Sequence, residues 1–301
     1  MPSKESSKIK PGGRPRTAIE VAPEGVLAAT IPHGTEVPAY AYTPLGYGAL
    51  VPGVAEANLR SQEAVVEAIR TVLGQLEPKS RAVTLVLPDT AVRVFVLDFD
   101  TLPQKAAEAI PVLRFRMRKM VPFDVEHAAL SYQILVQGEG SVKVLATIMP
   151  GPVLAEYEAA VRAAGYEPGA VLPSSLASLA AVESVEPILA ANLSGQALTT
   201  SITSGQDLHL FRTVDLPEDI DARIAEIQRS IAVAAAYYED KLVGRARQLR
   251  YAGIVKADDF ARIVGDPELA VVDMVPTTGL GATTALGPLS IAAISGALAG
   301  A

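Results

Sequence analysis

Residues 83–103 read VTLVLPDTAVRVFVLDFDTLP, and this stretch decides how the rest of the chain is parsed. It holds two apolar β-branched runs separated by Pro88, Asp89 and Thr90, which predicts two strands joined by a tight turn. In the second run Val92, Val94, Val96 and Asp98 alternate with Arg93, Phe95, Leu97 and Phe99, the period of a strand with two unlike faces. Upstream, TAIEVAPEGVLAATI (17–31) predicts a hairpin about a Pro-Glu-Gly turn. Ala64, Val65, Ala68, Ile69, Val72 and Leu73 have helical spacing. Downstream, Pro103 opens a helix that ends near Lys119 with Arg114, Arg116 and Arg118 close to its C-terminus. A hairpin about 138–140 follows, then a helix from Pro152 to about 164 and a short strand at 166–173. The next helix, 174–184, takes Ser174 or Ser175 as its cap. Strands at 187–193, 197–205 and 208–214, a long helix to about 242, a strand–helix–strand unit and an apolar terminal helix complete the pattern. Strand hairpins followed by helices, twice, predict two α/β lobes of related build.

Composition bounds the chemistry. The 301 residues are half apolar and 20% charged, so the bulk of the chain has ample material for a core. Without cysteine there is no disulfide, thiolate nucleophile or thiolate metal site. A net charge of −7 argues against a nucleic-acid partner. Lys4, Lys8, Lys10, Arg14 and Arg16 face only Glu5 in the first sixteen residues, the composition of a disordered basic tail rather than a secretory signal. No phosphate-binding P-loop and no nucleophile elbow occur, and His33, His127 and His209 are isolated, so the residues alone predict neither a catalytic set nor a metal site.

Specific stretches resemble a known family. VTLVLPDTAVRVFVLDFDTLP (83–103), LRFRMRKMVPFDVEHAALSYQIL (113–135), VKVLATIMPGPVLAEYEAAVRAAGYEPGAV (142–171), EIQRSIAVAAAYYE (226–239) and YAGI (251–254) are similar to the PilM family of type IV pilus assembly proteins, relatives of the cell-division protein FtsA. The resemblance implies an actin-like, two-lobed α/β fold. It divides the chain into a basic tail (1–16), the first lobe's subdomain 1A (17–79 and 166–186), an inserted subdomain 1C (80–165), and a second lobe with the C-terminal helix (187–301). Family members bind ATP between the lobes. Here Glu20 and Ala22 stand where an Asp and a Gly form the first phosphate loop. Asn192 and Ser194 replace an Asp and a Gly in the second, leaving Thr199 and Thr200, and Gly253 is what remains of the adenosine turn. The strand over 208–214 runs almost directly into the long helix, so the second lobe is reduced and lacks the nucleotide lid. These departures predict a degenerate site with no bound cofactor, no Mg²⁺ and no ATP turnover.

The resemblance further implies a cytoplasmic scaffold held at the inner membrane through its partners. In the family, the cytoplasmic tail of a PilN-like membrane protein lies between subdomains 1A and 1C, and other pilus components are linked through it. Arg114, Arg118 and Phe123 fall in the matching region as candidate partner contacts. The alternatives are a nucleotide-binding switch of the actin superfamily and a cytoplasmic component of a type II secretion system.

Overall fold

The computed structural model describes residues 14–182, 184–205, 207–242, 244–276 and 287–299. Two five-stranded sheets have the same topology. In the first, β1 (Thr17–Ala22), β2 (Gly25–Thr30) and β3 (Ala39–Pro44) form an antiparallel meander. β4 (Ala82–Leu87) then runs parallel to β1, and β8 (Glu167–Pro173) parallel to β4. In the second, β9 (Ile188–Leu193), β10 (Ala197–Ser204) and β11 (Asp207–Asp215) repeat the meander. β12 (Gln248–Gly253) and β13 (Ala270–Asp273) repeat the parallel pair. This duplication is the actin-like two-lobed architecture. A third, antiparallel sheet, ordered β5 (Arg93–Phe99), β7 (Ser141–Pro150), β6 (Ala128–Gly138), is inserted between β4 and β8.

Each sheet has its own apolar layer. Val65, Ile69, Val72 and Leu73 of α1 (Gln62–Leu76) and Val153, Tyr157 and Val161 of α3 (Gly151–Ala163) cover one face of the first sheet. The i, i+3, i+4 spacing of these residues sets the buried stripe on each helix. The second sheet packs Ile227, Ile231 and Ala234 of α5 (Ile220–Lys241) and Phe260 of α6 (Ala257–Val264). Phe260 stacks on Tyr251 at a centroid distance of 4.2 Å. Ala109, Leu113 and Met117 of α2 (Ala106–Met117) lie on the third sheet, against Leu97 and Val144.

The third sheet proper is narrower than the stretch 80–165. β4 pairs with β1, and α3 packs on the same core as α1, so both ends of that stretch belong to the first sheet's layers. The terminal helix also lies elsewhere than the division at 187–301 implies. α7 (Ala292–Leu298) packs Ile294, Ala297 and Leu298 on the face of the first sheet opposite α1, with Ala292 toward the second sheet. A Cβ on Gly296 would collide with the carbonyl of Ala177 in α4 (Ser174–Leu179), so glycine sets the distance between these two helices. Gly300 and the first thirteen residues lie outside the described part of the chain.

Three further expectations change. α4 ends at Leu179, not near 184, and its N-cap is Pro173 rather than a serine. α2 begins three residues after Pro103. β3 carries a strand that its exposed, proline-flanked sequence does not advertise. The junction of β11 and α5 is as expected: residues 216–219 alone separate them.

Candidate functional site

The ends of β1, β4, β9 and β12 converge where the two large sheets face each other. The cleft there is lined by Glu20, Glu24, Asp89, Ser174, Asn192 and Gly253, among others. Of the expected nucleotide-loop residues Glu20, Ala22, Asn192, Ser194 and Gly253 line it directly; Thr199 and Thr200 do not, and Thr199 reaches it through Asp89. Its interior is occupied by the protein's own hydrogen bonds. Ser174 Oγ donates to Glu20 Oε1 at 2.7 Å and accepts from Asn192 Nδ2 at 3.3 Å. Asp89, on a short 3-10 turn (Asp89–Ala91), accepts from the Ser175 N–H at 3.0 Å, from the Ser175 hydroxyl, and from Thr199 Oγ1 at 2.9 Å. Thr199 and Thr213 hydroxyls share a further hydrogen bond at 2.9 Å. Asp89 thus ties the first sheet to β10 of the second. The room left for water is about 40 Å³, enough for a few molecules.

The electrostatics are one-sided. Among the described residues the lining holds three carboxylates and no lysine or arginine. Burial pushes Glu20 up to about 7; the Ser174 hydrogen bond opposes this, and the charges of Asp89 and Glu24 add to it. Burial also raises Asp89, against the pull of its serine and threonine donors, and raises Glu24. A polyphosphate would meet carboxylates here without a compensating cation.

The remaining loop residues have local duties. Ser194 Oγ accepts from the Ala197 and Gln196 N–H groups at 3.0 and 3.3 Å and so closes the β9–β10 turn itself. Ala22 ends β1 opposite Gly25. A Cβ on Gly253 would strike the Tyr251 ring, so this glycine accommodates its own strand's tyrosine. Among the described residues no group of three or more His, Asp or Glu side chains is placed to hold a metal ion.

A second indentation lies between the first and third sheets. It is apolar and measures about 240 Å³. Leu87 of β4 and Val171, Leu172 and Pro173 of β8 form one wall. Ala129, Leu130 and Ser131 of β6 and Thr147, Ile148 and Met149 of β7 form the other. β6 and β8 are each the last strand of their sheet, and each contributes three consecutive residues, so both present an unpaired backbone edge near the groove.

The three expected partner residues sit beside this wall rather than in it. Arg114 donates to the carbonyls of Val125 and, at 3.0 Å, Ala128, anchoring the end of α2 to the start of β6. Arg118 pairs with Glu126 at 2.6 Å, and Phe123 packs against the third sheet's core. Asp89, Ser174 and Ser175 are the cleft residues that sequence reasoning missed as a set. The signal for Asp89 was present as a lone acid after an apolar strand, but its partners lie some 86 and 110 positions away.

No family model and no curated protein sequence matches the chain. Solved structures do. A chain of the PilM-PilN type IV pilus biogenesis complex superposes with a TM-score of 0.72 at 18% identity, covering 95% of this chain and 98% of that one. The fold of this chain is PilM-like. The cytoplasmic domain of EpsL, an inner membrane component of the type II secretion system of Vibrio cholerae, superposes with a TM-score of 0.50 at 15% identity, over 85% of this chain and 84% of that one. Among the described residues of this PilM-like fold, no helix is long and apolar enough to cross a membrane.

Proposed function

We propose that this protein is a cytoplasmic assembly scaffold of a type IV pilus, held at the inner membrane by capturing the cytoplasmic tail of a PilN-like protein and acting without ATP turnover. The groove between β6 and β8 carries this reading. It is apolar, open, and bordered by two strand edges, the arrangement that receives an extended peptide through backbone pairing and side-chain pockets. The likeness to a chain of the PilM-PilN complex supports it. The likeness to EpsL supports the broader class of pilus and secretion assembly components. The acidic, internally hydrogen-bonded cleft supports the absence of nucleotide chemistry.

Calorimetric titration with the cytoplasmic tail peptide of a neighbouring membrane-anchored pilus protein tests the reading. Binding near the micromolar range is expected, roughly −8 kcal/mol. Absence of binding at low salt overturns it. Binding of Mg²⁺–ATP tighter than about 100 μM, roughly −5.5 kcal/mol, overturns the nucleotide-independent part and favours a switch of the actin superfamily.

A further inference from the structure

The outward face of α2 has a chemistry that neither the core nor the groove uses. Ala109, Leu113 and Met117 point into the third sheet at i, i+4, i+8. Away from the sheet Val112, Phe115 and Arg116 follow at i, i+3 and i+4, and the turn that ends α2 carries Lys119 and Met120. All five are exposed, and Phe115 has 78% of its surface free. A phenylalanine so far out of a helix is not recessed as a peptide-binding anchor would be; it protrudes. Protruding aromatic and aliphatic groups suit a deformable interface better than a rigid partner groove.

Charge selects the interface. The chain is acidic overall at −7, yet residues 105–123 contain Lys105, Arg114, Arg116, Arg118 and Lys119 against Glu108 alone. Arg114 is committed to backbone carbonyls and Arg118 to Glu126, while the nearby Asp124 is engaged by His127. Arg116 and Lys119 have no ion-pair partner among the described residues, and both flank Phe115. Unpaired cations beside exposed apolar groups match a surface that is negative above and hydrocarbon below.

We propose that this face of α2 docks directly on an anionic phospholipid bilayer, with Phe115 and Met120 entering the boundary of the acyl region and Arg116 and Lys119 at the headgroups. The contact uses none of the residues that line the peptide groove.

Co-sedimentation of the full chain with vesicles tests it. The protein sediments with phosphatidylcholine vesicles containing phosphatidylglycerol and stays in solution with phosphatidylcholine alone. R116Q/K119Q weakens partitioning roughly twenty-fivefold, at about fivefold per cation near an anionic surface. Phe115→Ala weakens it about tenfold through lost apolar burial. The chain contains no tryptophan, so Phe115→Trp places a single reporter whose emission shifts to the blue with the anionic vesicles only. These positions are exposed, and unchanged thermal unfolding of the variants confirms an intact fold. Equal binding to both vesicle types, no binding at low salt, or an unmoved Trp emission overturns the proposal. So does full retention of binding by R116Q/K119Q, which assigns the lipid contact to the basic first sixteen residues.

Discussion

The interlobe cleft and the intersheet groove share two strand ends. Leu87 lines the groove while Pro88 and Asp89 line the cleft; Pro173 lines the groove while Ser174 lines the cleft. From these common junctions the two sites diverge in physical character. The cleft is polar, buried and filled by side chains that satisfy one another, with about 40 Å³ to spare. The groove is apolar, open and about 240 Å³, with strand edges alongside. The difference teaches that one pair of strand ends can serve a hydrogen-bonded joint between two sheets on one side and an apolar opening on the other. The cleft's hydrogen bonds tie the two large sheets together; the groove leaves apolar surface unburied.

Variants at each site test this contrast. The largest effect belongs to the groove. Leu130→Glu places a charge on its apolar wall, and tail-peptide affinity falls by about a hundredfold, roughly 2.7 kcal/mol, in calorimetry. A retained affinity would place the peptide elsewhere. In the cleft, Asp89→Ala strands the Ser175 N–H and hydroxyl and leaves the Thr199 hydroxyl with Thr213 alone. Part of that loss is offset by removing a buried carboxylate, leaving about 3 kcal/mol of destabilisation in denaturant unfolding. A neutral outcome would mean that the lobes are held by packing alone.

Glu20 gives a pH signature. Its carboxyl is raised from 4.5 to about 7 in the folded protein. Between those values the folded state holds more protons than the unfolded chain, so stability falls as pH rises through this window. The full loss, of the order of 3 kcal/mol, is present only above about pH 7. Glu20→Gln keeps the acceptor for Ser174, removes the charge, and flattens the stability–pH curve. A curve unchanged by the substitution would show that Glu20 is hydrated in solution.

The smallest effects separate two arginines of one helix. Arg114→Ala loses two hydrogen bonds from a charged donor and costs about 2 kcal/mol, loosening the start of β6 at Ala128. Arg118→Ala breaks an exposed ion pair and stays within about 0.5 kcal/mol. Equal costs would contradict the division of roles drawn from their contacts.

Much of the fold is legible in the sequence because alternation and helical spacing are local. The apolar spacing of 62–76 and the alternation of 93–99 each predict the element that forms. β3 escapes because AYAYTP is half exposed and lacks a clean period. The candidate site is less legible. Glu20, Asn192 and Gly253 line one cleft, but what fills it depends on partners distant in sequence. Ser174 and Ser175 look like helix caps by local rules. In the folded chain both lie within the first turn of α4, after Pro173, and their hydroxyls donate to the carboxylates of Glu20 and Asp89. Arg114 and Arg118 are alike in sequence, and only the carbonyls of Val125 and Ala128 distinguish them.

Helix α7 has a consequence for synthesis. Its buried residues complete the face of the first sheet formed by Ala18, Leu27, Ala29 and Val86, so β1, β2 and β4 are covered by a helix that is synthesised much later than they are. Contacts of such long sequence separation delay folding. Until α7 arrives, an apolar sheet face remains open on the nascent chain, a natural window for a chaperone and a point at which premature termination leaves a species prone to aggregate.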